Sequence, residues 1–380
     1  VSAAEPVRII RARTPKAMEA FLRFPYRLRA RDARWAPPPL KDQRELLDRR
    51  SHPFHEHAQV EYFLALRGGR VAGRIAAIEN FAHNAAWNER CGHFGFLDAE
   101  DDPAVFAALL RAAERWCLHR GLDVLRGPCS FSTNEECGLL VEGHDLEHTL
   151  MTPHNPRYYQ ARIEAAGYTK AKDLHSYLID RETYTERIPG LAAKVRGKLA
   201  ERGMRIRIRT LDMSRFDEEV GRIRHIYNSA WEKNWGFVPM TDAELRHMAH
   251  SLRPIAQPET ILFAESGGKP VAVLLALPDY NIVLRHMEGK QGPLQVAMFL
   301  LLRRHIKRVR LMAMGVVREY RARGLEALMI AELDRRARKL GITEAELGWV
   351  LEDNRLMNSA IFAAGARRTK VHRIYGKRLA

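Results

Sequence analysis

Apolar residues along the chain keep two rhythms, and the two rhythms alternate. Val7 to Arg11 alternates apolar and basic positions like a short strand. From Glu61 to Asn80 (EYFLALRGGRVAGRIAAIEN) an apolar strand meets Gly68, Gly69 and a basic residue, and a second apolar strand follows, which predicts a hairpin. Val105 to Arg120 (VFAALLRAAERWCLHR) places apolar side chains at helical spacing and stops at Gly121. A further helical stretch and a closing strand occupy Asn155 to Asp173.

The same order then returns. Ile206 to Arg209 repeats the first strand, and Thr260 to Asn281 repeats the hairpin, with Gly267 and Gly268 lying 199 residues after the first glycine pair. Leu325 to Leu340 repeats the long helix at an offset of 220, and Asn354 to Val371 repeats the closing segment with Gly365 lying 198 residues after Gly167. The changing offset predicts an insertion around Val296 to Arg308 in the second copy and another around Ser130 to His148 in the first. Four matches in one order identify two copies of a single module. Strands that alternate with helices predict α/β modules, each a mixed sheet with helices on both faces. The expected division is a first module over 1–180, a connector over 181–203 with a turn at Pro189-Gly190, and a second module over 204–380.

At 380 residues the chain has room for two cores. Its formal charge of +16 is dispersed along the sequence, so nucleic acid is not expected as a partner. Cys91, Cys117, Cys129 and Cys137 form no C-x-x-C pair, and no nearby histidine completes a zinc-ligand spacing. Reduced packing cysteines, no metal and a cytoplasmic setting are the expectation, with no transmembrane segment. Oligomeric state is not addressed by any of these features.

The most informative stretch is Leu311 to Gly341 (LMAMGVVREYRARGLEALMIAELDRRARKLG), where a strand ending at Val316 runs through an arginine-rich turn into a helix beginning near Gly324. The first turn of a helix leaves backbone N–H groups unpaired, and with the helix dipole they suit an anion. Arg321 and Arg323 add positive charge there, and Gly324 lets the backbone approach closely. Val316 to Glu326 resembles the acyl-coenzyme A signature of the GCN5-related N-acetyltransferase (GNAT) superfamily, a valine-ended strand followed by R-x-x-G-x-G/A. Arg321 and Gly324 match its arginine and glycine, and Asn354 with Gly365 resembles the asparagine and glycine of its later helix. The resemblance covers residue 204 to the end. Segments such as GPCSFSTNEECGLLVEG and ELGWVLEDN extend it to bacterial proteins with two tandem modules of this kind.

The resemblance implies tandem GNAT-like modules with a splayed sheet. It also implies transfer of an acetyl or longer acyl group from acetyl-coenzyme A or a longer acyl-coenzyme A to a small-molecule amine. A donor borne by acyl carrier protein, as in N-acyl amino acid synthases, is an alternative, and an inactive scaffold or ligand-binding protein is another. Cofactor contacts are expected from Gly315, Val316, Arg321, Ala322, Arg323, Gly324, Leu325, Glu326 and Asn354. The first module lacks the motif, since its helix follows the acidic run Leu97 to Pro103.

Two positions depart from the family pattern. Glu326 stands where glycine or alanine is usual, and Ile361 stands where a tyrosine often protonates the departing thiolate. Glu346 is the first candidate base and Glu352 the second, while Glu346 reads more readily as a structural carboxylate paired with a neighbouring arginine. Asn354 also fits a helix cap. Trp231, Trp235 and Phe237 lie in an aromatic segment broken by Gly236 and Pro239, which suits either an acceptor pocket or an anchored loop.

Overall fold

The computed structural model describes residues 5–184 and 187–380, the side chain of residue 187 excepted. The first copy contains β1 (Arg8–Arg11), α1 (Pro15–Leu28), α2 (Leu40–Leu46), β2 (Ala58–Arg67), β3 (Arg70–Asn80) and α3 (Phe81–Trp87). It continues with β4 (Cys91–Ala99), α4 (Pro103–His119), β5 (Val124–Gly127), β6 (Leu139–Glu142), α5 (Tyr158–Ala165) and β7 (Thr169–Asp180). After α6 (Arg187–Glu201), the second copy runs β8 (Ile206–Thr210), α7 (Phe216–Trp231), α8 (Asp242–Leu252), β9 (Ile261–Ser266), β10 (Lys269–Pro278) and α9 (Asn281–Met287). It ends with α10 (Pro293–Leu302), β11 (Arg308–Val316), α11 (Leu325–Lys339), β12 (Glu344–Leu351), α12 (Arg355–Ala363) and β13 (Arg367–Arg378).

The repeat therefore holds element by element. The helix α10 has no counterpart between β3 and β4, and β6 has none between β12 and α12, so the two insertions lie where the changing offset placed them. Within the expected connector, Pro189 and Gly190 lie inside the first turn of α6 and form no turn of their own. Proline is tolerated there because the first-turn N–H has no intrahelical partner.

The chain forms two compact units that are not the two linear halves. One comprises residues up to Leu174 with Val283–Phe299 and Lys370–Ala380, and the other His175–Ile282 with Leu300–Thr369. Most of β13, the last strand of the chain, thus belongs to the first unit, where Tyr375 to Arg378 pair with Gly127 to Val124 of β5. The end of β7 belongs to the second unit and neighbours β12. A linear repeat does not reveal this exchange, because the similarity of the closing segments does not say which unit each strand joins.

The first unit buries Phe94, Phe106, Leu109 and Tyr159 in one apolar cluster, and Phe21, Phe54, Tyr62 and Phe131 in another. Arg74 of β3 donates to Asp98 of β4 at 2.9 Å, and Arg29 also binds that buried carboxylate. Asp102 caps α4 by accepting from the backbone N–H of Ala104 and Val105. A side-chain carboxylate thereby occupies the position where, in the second copy, the helix begins without one.

Burial of neutral imidazoles sets an acid limit on the first unit. Burial holds His93 and His148 well below the ordinary histidine value. His148 accepts from Ala36 N–H at its Nδ1, so protonation would remove that bond. In the unfolded chain both return to about 6.5. Above that pH neither state binds the protons, and stability is full. As pH falls below it, the unfolded chain takes up protons that the folded chain refuses, and stability drops by about 1.4 kcal/mol per pH unit for each imidazole. Denaturant unfolding at pH 5.5 should give a lower midpoint than at pH 7.5, and His93→Leu should flatten that dependence. An unchanged slope in the variant would remove His93 from the account.

Candidate functional site

The second unit opens its own sheet. β11 and β12 run parallel but pair only over Arg308–Leu311 and Glu344–Leu347. Beyond that, Ala313 to Val316 stays paired with β10 past an irregularity at Met312, and from Gly348 the pairing of β12 with β11 ends. A cavity of about 730 Å³ occupies the opening. Met312 and Met314 of β11, Leu347 of β12, Ala327 and Ile330 of α11, Ile361 of α12 and Trp231 of α7 line it. Its wall follows α11 from Gly324 to Ala337, a length of about 20 Å at the rise of an α-helix.

At one end of this wall lies the turn before α11. Arg318–Tyr320 form a single 3-10 turn, Ala322 and Gly324 take left-handed φ of 58° and 79°, and no side chain caps the helix. Left-handed residues beside an uncapped helix start aim backbone N–H groups at a common point, which suits a phosphate. A Cβ on Gly324 would stand 2.7 Å from Val195 of α6, so the position is closed to any larger residue by packing as well as by φ.

Arg321 and Arg323 of this turn are half-buried and contact other parts of the protein. Arg321 donates through Nη2 to the carbonyl of Ser229 at 2.8 Å and of Ala230 at 3.4 Å, and through Nε to that of Val316 at 3.3 Å. It fastens the turn to the C-terminal end of α7, where a cation is favoured by the helix dipole. Arg323 packs over the Tyr320 ring at 5.0 Å and against the Met204 sulfur. Arg321→Ala should therefore lower unfolding stability by about 1.5–3 kcal/mol, the usual worth of hydrogen bonds from a charged group. Arg323→Ala should change it far less. Equal losses in denaturant unfolding would contradict this assignment.

Of the remaining positions singled out by sequence, Gly324, Glu326 and Asn354 line the cavity, and Leu325 is buried beneath it. Asn354 also caps α12 by accepting from Met357 N–H. Gly315 underlies Trp231, since a Cβ there would meet the indole at 2.5 Å. Trp231 lines the cavity and stacks on Tyr227 at 4.5 Å. Phe237 is buried against Tyr227, and neither it nor Trp235 is on the wall. Glu346 is buried, stands in register with Arg310 across the paired part of the strands, and is off the wall. Glu352 also lies off the wall, its carbonyl accepting from Asn358.

Among the described residues the wall carries four carboxylates. Asp180 accepts from Thr183, Asp334 from Arg338 and Glu344 from Arg308. Among the described residues Glu326 has no such partner, and it lines the cavity in the first turn of α11. The phenol on the wall is Tyr184. Tyr177, buried in a cluster that includes Ile361, donates to Asn358 at 2.7 Å.

Sequence reading passed over the part of the wall made by Ile188 and Leu191 of α6. The signal was present, since Ile188, Ala192, Val195 and Leu199 are buried at helical spacing within the expected connector.

In the first unit the fold brings histidines to a cysteine, although no ligand spacing in the sequence marks the meeting. His83, Cys91 and His93 bring potential ligand atoms within 4.8 Å of one another, all buried. Cys91 and His93 share one face of β4, and His83 comes from α3, a convergence that no short spacing motif encodes. Burial pushes the Cys91 thiol up to about 12, and Arg126 lies alongside holding Glu89. A protonated thiol and a fixed positive charge both disfavour a cation. All four cysteines are free and buried.

Comparison with known proteins places these features in a family. Residues 220–358 match the acetyltransferase (GNAT) family model. A protein of Caulobacter vibrioides named bacterial ceramide synthase is 38% identical over 380 residues, covering 98% of this chain and 97% of its own. Protein YghO of Escherichia coli is 35% identical over 371 residues, covering 95% and 93%. Among solved structures, a tandem GNAT protein from the clavulanic acid biosynthesis pathway shares the fold with a TM-score of 0.56 at 14% identity, over 98% of this chain and 99% of its own. A GCN5-related N-acetyltransferase from Sphaerobacter thermophilus does so with 0.52 at 13%, over 98% and 96%.

Proposed function

The chain belongs to the acetyltransferase (GNAT) family, and from that premise we propose that it is an N-acyltransferase moving a long acyl group from a thioester to the amine of a lipid-like acceptor. The observation that carries the long-chain part is the cavity, which continues from the strand opening along α11 between mostly apolar side chains. Each methylene removed from water into such a wall stabilises the complex by about 0.8 kcal/mol. The relative named bacterial ceramide synthase supports a long-chain amino alcohol as acceptor, which N-acylation turns into a ceramide.

In the reaction the neutral amine attacks the thioester carbonyl carbon, the C–S bond breaks, the thiolate leaves, and the amine proton passes to solvent or base. The uncapped start of α11 holds the donor's phosphate, and Trp231 closes the cavity wall over Gly315. Glu346, set against Arg310 and off the wall, is proposed to join the two strands and not to take the proton. A thiolate resembling cysteine, near pKa 8.5, departs without an enzymic acid, whereas an amine near pKa 10.4 must first lose a proton, so turnover rises with pH.

Glu326 favours a second reading of the donor. An unpartnered carboxylate beside the phosphate seat opposes a pyrophosphate more than the single phosphate of carrier-borne phosphopantetheine. Thiol release tests both donors against a long-chain amine. Palmitoyl-coenzyme A should outperform acetyl-coenzyme A, and Glu326→Gln should lower KM for the free coenzyme thioester while leaving a carrier-borne donor unchanged. Equal turnover of acetyl and palmitoyl donors would remove the long-chain reading.

A further inference from the structure

The helix α10 (PLQVAMFLLL) has one polar side chain, Gln295, and is otherwise apolar on every side. Helices of that character are ordinarily enclosed by protein or by lipid. None of its residues is buried, and Leu294, Val296, Leu300 and Leu301 keep between 52% and 67% of their surface exposed. Ten residues are too few to cross a bilayer, which takes about 20. Directly after the helix come Arg303, Arg304, His305 and Lys307, all exposed. The sequence has no carboxylate between Glu288 and Glu319.

A short exposed apolar helix with cations at one end can bury apolar side chains at a membrane surface while the cations meet anionic lipid. We propose that α10 docks on an anionic phospholipid surface, its leucines entering the headgroup boundary and Arg303, Arg304 and Lys307 meeting lipid phosphates. Pairing with a second copy is the less complementary arrangement, because the cation-rich stretch supplies no acid to balance it. The inference stands on α10 and its flank alone and does not depend on acyl transfer, so a protein inactive in every thiol-release assay would still be tested by it.

Co-sedimentation of the full chain with phosphatidylcholine vesicles, with and without phosphatidylglycerol, provides the test. The protein should pellet with the anionic vesicles and much less with the neutral ones, and 0.5 M salt, where screening is strong, should release it. Leu300→Asp with Leu301→Asp should lower partitioning at least about tenfold, in line with leucine burial. Arg303→Glu with Arg304→Glu should lower it by about fivefold or more per residue on anionic vesicles. These side chains are exposed, so thermal melting should not change, and Leu301→Trp offers an independent readout through a blue-shifted emission that brominated lipid quenches. The proposal is overturned if the wild-type chain stays in the supernatant with anionic vesicles. Unaltered binding of the leucine double variant overturns it too, as does a lipid-free dimer that the same variant dissociates.

Discussion

Ala345→Trp should cut kcat/KM for a palmitoyl thioester by about two orders of magnitude or more while leaving an acetyl thioester within a few-fold of wild type. Ala345 lies on β12 opposite Val309, at the still-paired end of the two strands, and forms part of the cavity wall. An indole there fills space that a long chain must occupy and a short one never reaches. Excluding only four methylenes forfeits about 3 kcal/mol, enough for roughly two decades of rate. The new side chain enters an open cavity, so the usual overpacking penalty of about 1–3 kcal/mol is an upper bound on lost stability. Steady-state thiol release over a series of chain lengths measures the effect. Undiminished long-chain turnover would mean that the acyl group lies elsewhere.

The second large effect is expected at Gly324. Gly324→Val should lower affinity for any phosphopantetheine-bearing donor at least about a hundredfold, because the turn that frees the α11 amides needs both a left-handed residue and the absence of a Cβ. A left-handed L-residue costs roughly 1–2 kcal/mol before any clash, and here a Cβ also meets Val195 at 2.7 Å. Relief of both displaces the helix start from the phosphate. Gly341, at the other end of the same helix, has φ of 73°, and a Cβ there would meet only Lys307 Nζ, at 3.8 Å. Gly341→Ala should carry the left-handed strain alone, with a smaller loss of stability and no loss of binding. Calorimetry with a palmitoyl-coenzyme A titrant separates the two, and parallel losses at both glycines would reduce Gly324 to a structural role.

Much of this architecture is legible in the sequence for identifiable reasons. Apolar periodicity and paired glycines mark the hairpins β2–β3 and β9–β10, and the valine-ended strand before R-x-x-G marks β11 and α11. These are local signals, carried by residues close in the chain. What was hidden is non-local. The placement of most of β13 in the first unit depends on which sheet edge is available, and the carbonyls held by Arg321 lie about ninety residues away in sequence at Ser229 and Ala230. Arg321 therefore reads from sequence as a ligand contact, and its bracing of the turn shows only in the fold. Glu346 is an intermediate case, because alternation fixes its face of β12 but not the arginine set opposite it on β11. The buried meeting of His83, Cys91 and His93 likewise arises from the turn of α3 back onto β4.

The most direct measurement is mass spectrometry of the product formed from palmitoyl thioester and a long-chain 2-amino-1,3-diol, with free thiol quantified in the same reaction and the donor supplied both as coenzyme A and on acyl carrier protein. The account predicts an amide carrying the intact acyl chain on nitrogen, with one thiol released per amide and little release when the amine is omitted. Thiol released equally with and without amine, or no amide from either donor, would contradict it.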